Sequence, residues 1–308
     1  MPSKYLLVTI DTEALPKRAE SDHINRLIWG QFAKGSAGIQ QFVEIANDNF
    51  IQFVFFVDLC AAHSHISEMQ HVVTWLDQHK QDVQLHMHPE YLPESFWKSH
   101  GFTYRPRFLN QYDWNKALFC IQHFSQLLSK MTGKKVNAFR AGSFRWNKHT
   151  IAALKEHGIP LSFNNSMKAF QSNKSSYAQD TNHPFVWSND VIEIPVTEKK
   201  YIFFKKKLWF SRFSYPLQGW FGSKAWRVCG RYIRQQNILN VMLLHSWSFL
   251  DWDSKGYAYF KNDKKINDFN KIVKRLVKDY DVITTRDLLD LIQQNKIQAS
   301  HQVSLNFA

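Results

Sequence analysis

The sequence predicts an α/β protein whose parallel strands close into a distorted barrel. Short apolar, β-branched runs alternate with amphipathic runs along the whole chain, the pattern of a parallel sheet with crossover helices. About seven or eight candidate strands follow in one continuous pattern, which favours a single barrel over two domains. Polar groups also stand where apolar runs stop: Asp11 and Glu13, His86 and His88, Arg140, and His245. In a parallel barrel such strand ends converge on one face. The runner-up is an open doubly wound sheet, but no GxGxxG or GxxxxGK[ST] loop supports its nucleotide-binding versions.

The elements follow in order. Tyr5–Ile10 reads as a buried strand, and Ile39, Phe42, Val43 and Ala46 recur at helical spacing. Ile51–Val57 is apolar and β-branched, hence a strand; Ile66–His79 is helical; Val83–His88 is a third strand. Residues 91–108 are rich in proline, aromatic and basic side chains and are expected to form an irregular loop over the site. Gln111–Met131 is the longest helical pattern, stopped by Gly133. Val136–Arg140 is strand-like, Lys148–Glu156 helical, and Leu161–Phe163 a short strand. Val191–Val196, with Pro195, is expected at a sheet edge. Asn240–Leu244 reads as a buried strand, Ile266–Lys278 as an amphipathic helix, Val282–Thr284 as a strand end and Arg286–Gln293 as the last helix. The expected organisation is one barrel domain over residues 1–296, with an insertion at 199–236 and a polar, frayed tail over 297–308.

Composition sets limits. With 308 residues, 44% hydrophobic and 21% charged, the chain can bury a large core. Cys60, Cys120 and Cys229 are odd in number and widely spaced, so neither a disulfide framework nor a CxxC zinc site is implied. A reducing compartment fits best. The apolar run before Asp11 is too short for a signal peptide, and no stretch approaches the ~20 apolar residues that span a bilayer. The expected location is cytoplasmic, either free or peripheral to the inner membrane.

The net charge of +13 is uneven: ten Lys/Arg and no Asp or Glu stand between Lys199 and Arg234. Interleaved aromatics, Trp209, Trp220 and Trp226 among them, suit an anionic membrane surface, with rings at headgroup depth and cations toward lipid. They equally suit a nucleotide- or lipid-diphosphate sugar, or simple packing on the barrel. No nucleic-acid module signature appears.

At the strand ends, Asp11 and Glu13 are i and i+2 on an extended segment and point the same way. One can bind a metal while the other accepts a proton; a solvated strand end is the plain alternative. His86 and His88 share that spacing and can face one ion, for which mixed nitrogen and oxygen donors suit zinc, and also cobalt, nickel or iron. Glu90, four residues after His86, could replace or supplement His88. His63 and His65 form a similar pair but lie beyond their strand among helix-start residues. Arg140 could hold a carboxylate base ionised, or form a structural ion pair. His245 on the reactive face would be a general acid, or else a satisfied core group.

Taken together and in this order, these segments resemble the NodB-type polysaccharide deacetylases, carbohydrate esterase family 4. Thr9-Ile10-Asp11-Thr12-Glu13 resembles the family's first motif, and Val83-Gln84-Leu85-His86-Met87-His88 its metal-histidine motif. Phe139-Arg140-Ala141-Gly142-Ser143-Phe144 is similar to the arginine motif, residues 157–166 to the segment of the fourth, and Leu244-His245-Ser246-Trp247 to the last. The likeness runs from Tyr5 to Leu291 and implies a distorted (β/α) barrel with seven or eight strands, of the NodB type. It implies a divalent metal, zinc first among candidates, on Glu13, His86 and His88 (or Glu90). It further implies Asp11 as general base, Arg140 as its tether and His245 as general acid. The implied reaction removes acetate from an N-acetylated sugar in surface polysaccharide (O-antigen or capsule) biosynthesis, the substrate being a glycan or a nucleotide- or lipid-linked sugar. Alternatives are a related amidohydrolase on a small non-sugar amide, or a non-catalytic glycan- or membrane-binding barrel. The sequence departs from the family pattern in three places. Thr12 separates the two carboxylates, the histidines are spaced HxH rather than HxxxH, and the arginine motif lacks its common proline.

Overall fold

The computed structural model describes residues 4–19, 21–203, 206–212 and 238–306, with the backbone alone at 199–203, 206–212 and 301. In chain order the strands are β1 (Tyr5–Thr12), β2 (Gln31–Phe32), β3 (Gly35–Ser36), β4 (Val54–Asp58), β5 (Asp82–Met87), β6 (Ala138–Ala141), β7 (Leu161–Ser162), β8 (Phe185–Trp187), β9 (Ile192–Glu193), β10 (Glu198–Phe203), β11 (Lys206–Arg212), β12 (Leu239–His245), β13 (Leu250–Trp252), β14 (Ala258–Lys261), β15 (Asp281–Val282) and β16 (Ser300–Val303). The helices are α1 (Ile39–Asp48), α2 (Ile66–Gln78), α3 (Glu94–Ser99), α4 (Trp114–Thr132), α5 (Lys148–Glu156), α6 (Met167–Gln171), α7 (Asp263–Leu276) and α8 (Thr285–Gln293).

The main sheet runs β12-β1-β4-β5-β6-β7-β9-β8-β16, with β15 also on β1. Every pairing in it is parallel except β8 with β9. Parallel neighbours require long crossovers, and α1, α2, α4 and α5 supply them between β1 and β7. After β9 the chain bonds both to the turn after β7 and to β12, the first strand of this order. Val196 N donates to Asn165 O at 3.2 Å and Thr197 N to Val241 O at 3.3 Å, while Val241 N donates to Thr197 Oγ1 at 2.9 Å. These contacts draw the curled sheet into a distorted barrel.

Strand parity separates two apolar layers. Leu6, Val8 and Ile10 of β1, Phe55 and Val57 of β4, Leu85 and Met87 of β5, and Met242 and Leu244 of β12 pack with the helices. Tyr5 and Leu7, Val54 and Phe56, Ala138, and Val241 and Leu243 fill the barrel interior. Each fully buried side chain of this kind contributes about 1.5–3 kcal/mol. Since side chains alternate along a strand, Thr9, Asp11, Glu13, Asp58, His86, His88, Arg140 and His245 all fall on the interior parity, and all but Thr9 stand at or just past the C-terminal strand ends. Local chemistry sets the helix limits. The Asp113 carboxylate accepts from Lys116 N at 2.9 Å to start α4, and Gly133 stops it with φ +67°.

Three expectations are corrected. Residues 300–303 are not a frayed tail: β16 pairs with β8, and Val303 is buried while Gln302 is exposed, the pattern of a half-covered edge strand. The Val191–Val196 run is not an edge, because β9 lies between β7 and β8. Its Glu193 is buried and accepts from Ser162 Oγ, Asn164 N, Asn165 N and Trp187 Nε1 at 2.5–3.0 Å. Residues 91–108 are not wholly irregular, because Phe96 and Trp97 bury α3 against the core. Lys116 Nζ then secures the rest of that segment by donating to Thr103 O and Pro106 O, both at 2.9 Å. Of the basic aromatic segment, β10 and β11 form an antiparallel hairpin; its side chains, and all of residues 213–237, lie outside the described residues. Among the described residues no helix is long and apolar enough to cross a membrane.

Candidate metal centre

Parallel registry sets the site. Asp11 stands beside His245 across β1 and β12, and His86 beside Arg140 across β5 and β6. Two further bonds pin the end of β1 to the turn after β12. Ser246 N donates to Asp11 O at 2.9 Å, and the Glu13 N–H reaches Ser246 Oγ at 3.3 Å.

Glu13 is the hub. His86 Nε2 and His88 Nε2 each lie 3.0 Å from the same oxygen, Glu13 Oε1, and all three side chains are buried. The other nitrogen of each ring is occupied. His86 Nδ1 lies 2.8 Å from Arg140 O, and His88 Nδ1 lies 2.9 Å from Glu90 Oε1. A carbonyl or an ionised carboxylate only accepts, so both Nδ1 atoms carry the proton. Both Nε2 lone pairs then face a carboxylate oxygen, and such a contact needs a positive charge between the atoms. A metal ion meets that need. Adjacent ligand atoms around an ion bound at about 2.0–2.1 Å stand roughly 3 Å apart, as these do.

Without an ion, protons serve the same end. Burial works against charging either ring, yet the Asp11 and Glu13 carboxylates raise the His86 pKa above its ordinary value. Burial is likewise outweighed at His88, where Glu13 and Glu90 hold the ring well above the usual imidazole range. Burial also opposes the charge on Glu13, but His88 and His245, with the bonds from both rings, hold its carboxyl well below the usual range. The site therefore attracts a cation, and its rings turn Nε2 toward it in the manner of metal-ligating histidines with anchored Nδ1 groups. Glu90 lies on the far nitrogen of His88, on the side of the ring away from Glu13.

Beside this triad sits a tethered carboxylate. Arg140 Nη1 donates to Asp11 Oδ1 at 2.6 Å, and Nη2 to Thr9 Oγ1 at 3.0 Å. Thr9 Oγ1 in turn donates to Met242 O at 2.7 Å. The guanidinium is wholly buried and lies over the Phe56 ring, 4.3 Å from its centroid. Asp11 Oδ2 remains 3.9 Å from His86 Nε2. Donor atoms of Asp11, Glu13 and His245 all lie within 4.8 Å of one another, as do those of Glu13, His86 and His88. His245 is half-buried, and its ring stacks on Trp247 at 4.1 Å.

All six side chains singled out in the sequence thus meet in one place. His63 and His65 do not join them: His63 packs on Phe96 and His65 on His23. Sequence reasoning missed Thr9, which braces Arg140, and Asp58, which accepts from His88 N at 3.0 Å and Cys60 N at 2.9 Å. Asp58 carried the same signal as the others, a polar residue ending an apolar strand. Its burial raises its pKa despite the opposing pull of His88 and His86. Gly142 is needed for close approach, since a Cβ there would lie 2.5 Å from His88 Cγ.

No family model matches the chain, and no curated protein sequence is similar to it. Solved structures are. A provisionally named polysaccharide deacetylase from Mycobacterium smegmatis superposes with TM-score 0.60 at 14% identity, over 97% of this chain and 93% of that one. A 4-alpha-glucanotransferase from Thermococcus litoralis superposes with TM-score 0.58 at 10% identity, over 99% of this chain and 40% of that one. A family 4 carbohydrate esterase from Streptomyces lividans, in complex with acetate, gives TM-score 0.44 at 10% identity, over 93% of this chain and 96% of that one. The first two likenesses establish the fold, a curled, parallel-rich α/β barrel shared by proteins named for different chemistries. The fold therefore leaves the chemistry to the site.

Proposed function

We propose that this chain is a divalent-metal-dependent N-deacetylase that releases acetate from an N-acetylated sugar. One observation carries the reading: two Nδ1-anchored imidazoles converge on a single oxygen of Glu13, next to an arginine-bound aspartate and a histidine. Glu13, His86 and His88 would hold the ion, zinc first, with cobalt, nickel and iron also suited to this donor set. When bound, it supplies Lewis-acid polarisation of the amide carbonyl and a more acidic water.

The remaining roles belong to the chain. Asp11, oriented by Arg140, takes the proton of the attacking water at its second oxygen. His245 gives a proton to the departing nitrogen as the amide C–N bond breaks, leaving acetate and an amino sugar. Trp247, stacked on His245, fixes the plane of that ring. The Mycobacterium smegmatis neighbour, named as a polysaccharide deacetylase and matched over nearly its full length, supports this choice of reaction. Formation of a surface polysaccharide is the setting we propose for it.

Zinc-loaded protein is expected to release acetate from at least one member of a panel of N-acetylated sugars and glycans. Chelation should abolish release and added zinc restore it, with acetate measured enzymatically. Stoichiometric zinc with no acetate from any member would overturn the proposal.

A further inference from the structure

The turn after β1 carries two consecutive cations that the mechanism above does not use. Residues Pro16–Arg18 form a 3-10 turn, and each cation rests against an aromatic ring that packs on a site histidine. Lys17 Nζ lies 6.0 Å from the Tyr91 ring centroid, and that ring lies 5.9 Å from the His88 ring. Arg18 Cζ lies 4.8 Å from the Trp247 centroid and 5.1 Å from that of Trp252, and Trp247 stacks on His245. Among the described residues, three acids of the neighbouring segments are engaged elsewhere: Asp22 with Arg26 at 2.7 Å, Asp251 with Lys265 at 2.9 Å, and Glu90 with His88 at 2.9 Å. Arg18 Nε and Trp247 Nε1, on two groups in contact, are both buried without an acceptor among the described residues, while the Arg18 side chain as a whole is only half-buried.

We propose that Arg18, with Lys17 beside it, forms an oxyanion subsite at the mouth of the barrel. It selects substrates that carry a carboxylate or phosphate close to the N-acetylated sugar. A guanidinium stacked on indoles loses little further freedom on binding, and its planar fork suits either group bidentately. The inference deepens the deacetylase reading and depends on it for its activity readout, so its test includes a binding readout that does not.

The probes are N-acetylglucosamine, N-acetylglucosamine 1-phosphate and N-acetylmuramic acid, titrated against the zinc-loaded full chain by tryptophan fluorescence. The wild type is expected to bind one or both charged sugars about tenfold or more tightly than the neutral one. The charged sugar that gains identifies the source of the oxyanion. Arg18→Gln should bring the charged-to-neutral ratio near one, and Arg18→Lys should restore part of it; thermal melting confirms that both variants fold. Equal binding of all three sugars by the wild type overturns the proposal, whatever the variants do. Equal weakening of all three by Arg18→Gln also overturns it. A charged-sugar preference lost in Arg18→Gln, with no acetate released from any sugar, upholds the subsite and removes the deacetylase reading. Acetate released with the same kcat/KM from charged and neutral sugars, in the wild type and in Arg18→Gln, removes the subsite and leaves that reading standing.

Discussion

Asp11→Asn is expected to lower acetate release by about 10²- to 10⁴-fold, the usual contribution of a positioned general base, and to leave the metal content unchanged. Asparagine matches the shape of aspartate and keeps an oxygen for Arg140 Nη1, which now sits 2.6 Å from Asp11 Oδ1. It cannot take the proton of the attacking water. Of the two groups of donor atoms that could hold an ion, the proposed one, Glu13 with His86 and His88, leaves Asp11 out, so on that proposal zinc should remain. Single-turnover acetate release together with elemental analysis checks both halves. A variant that retains near wild-type turnover would remove Asp11 from the base role, and one that loses its zinc would make Asp11 a ligand.

Arg140→Met is expected to destabilise the fold by about 3–5 kcal/mol, the typical effect of removing one partner from a buried ion pair. Arg140 is wholly buried and Asp11 nearly so, so methionine would leave the Asp11 carboxylate without its counter-charge and Thr9 Oγ1 without a donor. Much of that loss reflects the stranded charge rather than the value of the pair. The double variant Asp11→Asn with Arg140→Met should therefore recover a large part of it. Urea denaturation of the four proteins measures the cycle. Strictly additive losses would show that the two residues act independently. A loss under about 1 kcal/mol for Arg140→Met, as for exposed pairs, would contradict the burial argument.

Much of this was legible in the sequence because one rule, polar residues ending apolar strands, is written into the chain at several points. Asp11 with Glu13 and His86 with His88 each occupy i and i+2, and strand parity then settles the side they face. What stayed hidden depends on partners distant in sequence. Which nitrogen of His88 meets which carboxylate is a matter of ring orientation, which no local pattern shows. The burial of Glu193 was not legible, because nothing local announces the four donors that satisfy it from β7, β8 and the turn after β7. The strand at 300–303 was hidden by its own polarity, since one face of an edge strand is open to water. Arg18 drew no attention because its significance lies in Trp247 and Trp252, more than 200 residues away.

The claim on which the rest depends is that Glu13, His86 and His88 share one divalent ion. X-ray absorption at the zinc edge of the stoichiometrically loaded protein tests it most directly. The spectrum is predicted to show two imidazole nitrogens with oxygen donors at about 2.0–2.1 Å, falling to one imidazole in His86→Ala and unchanged in His63→Ala. A site without imidazole scattering, or one that His86→Ala leaves intact, would contradict it.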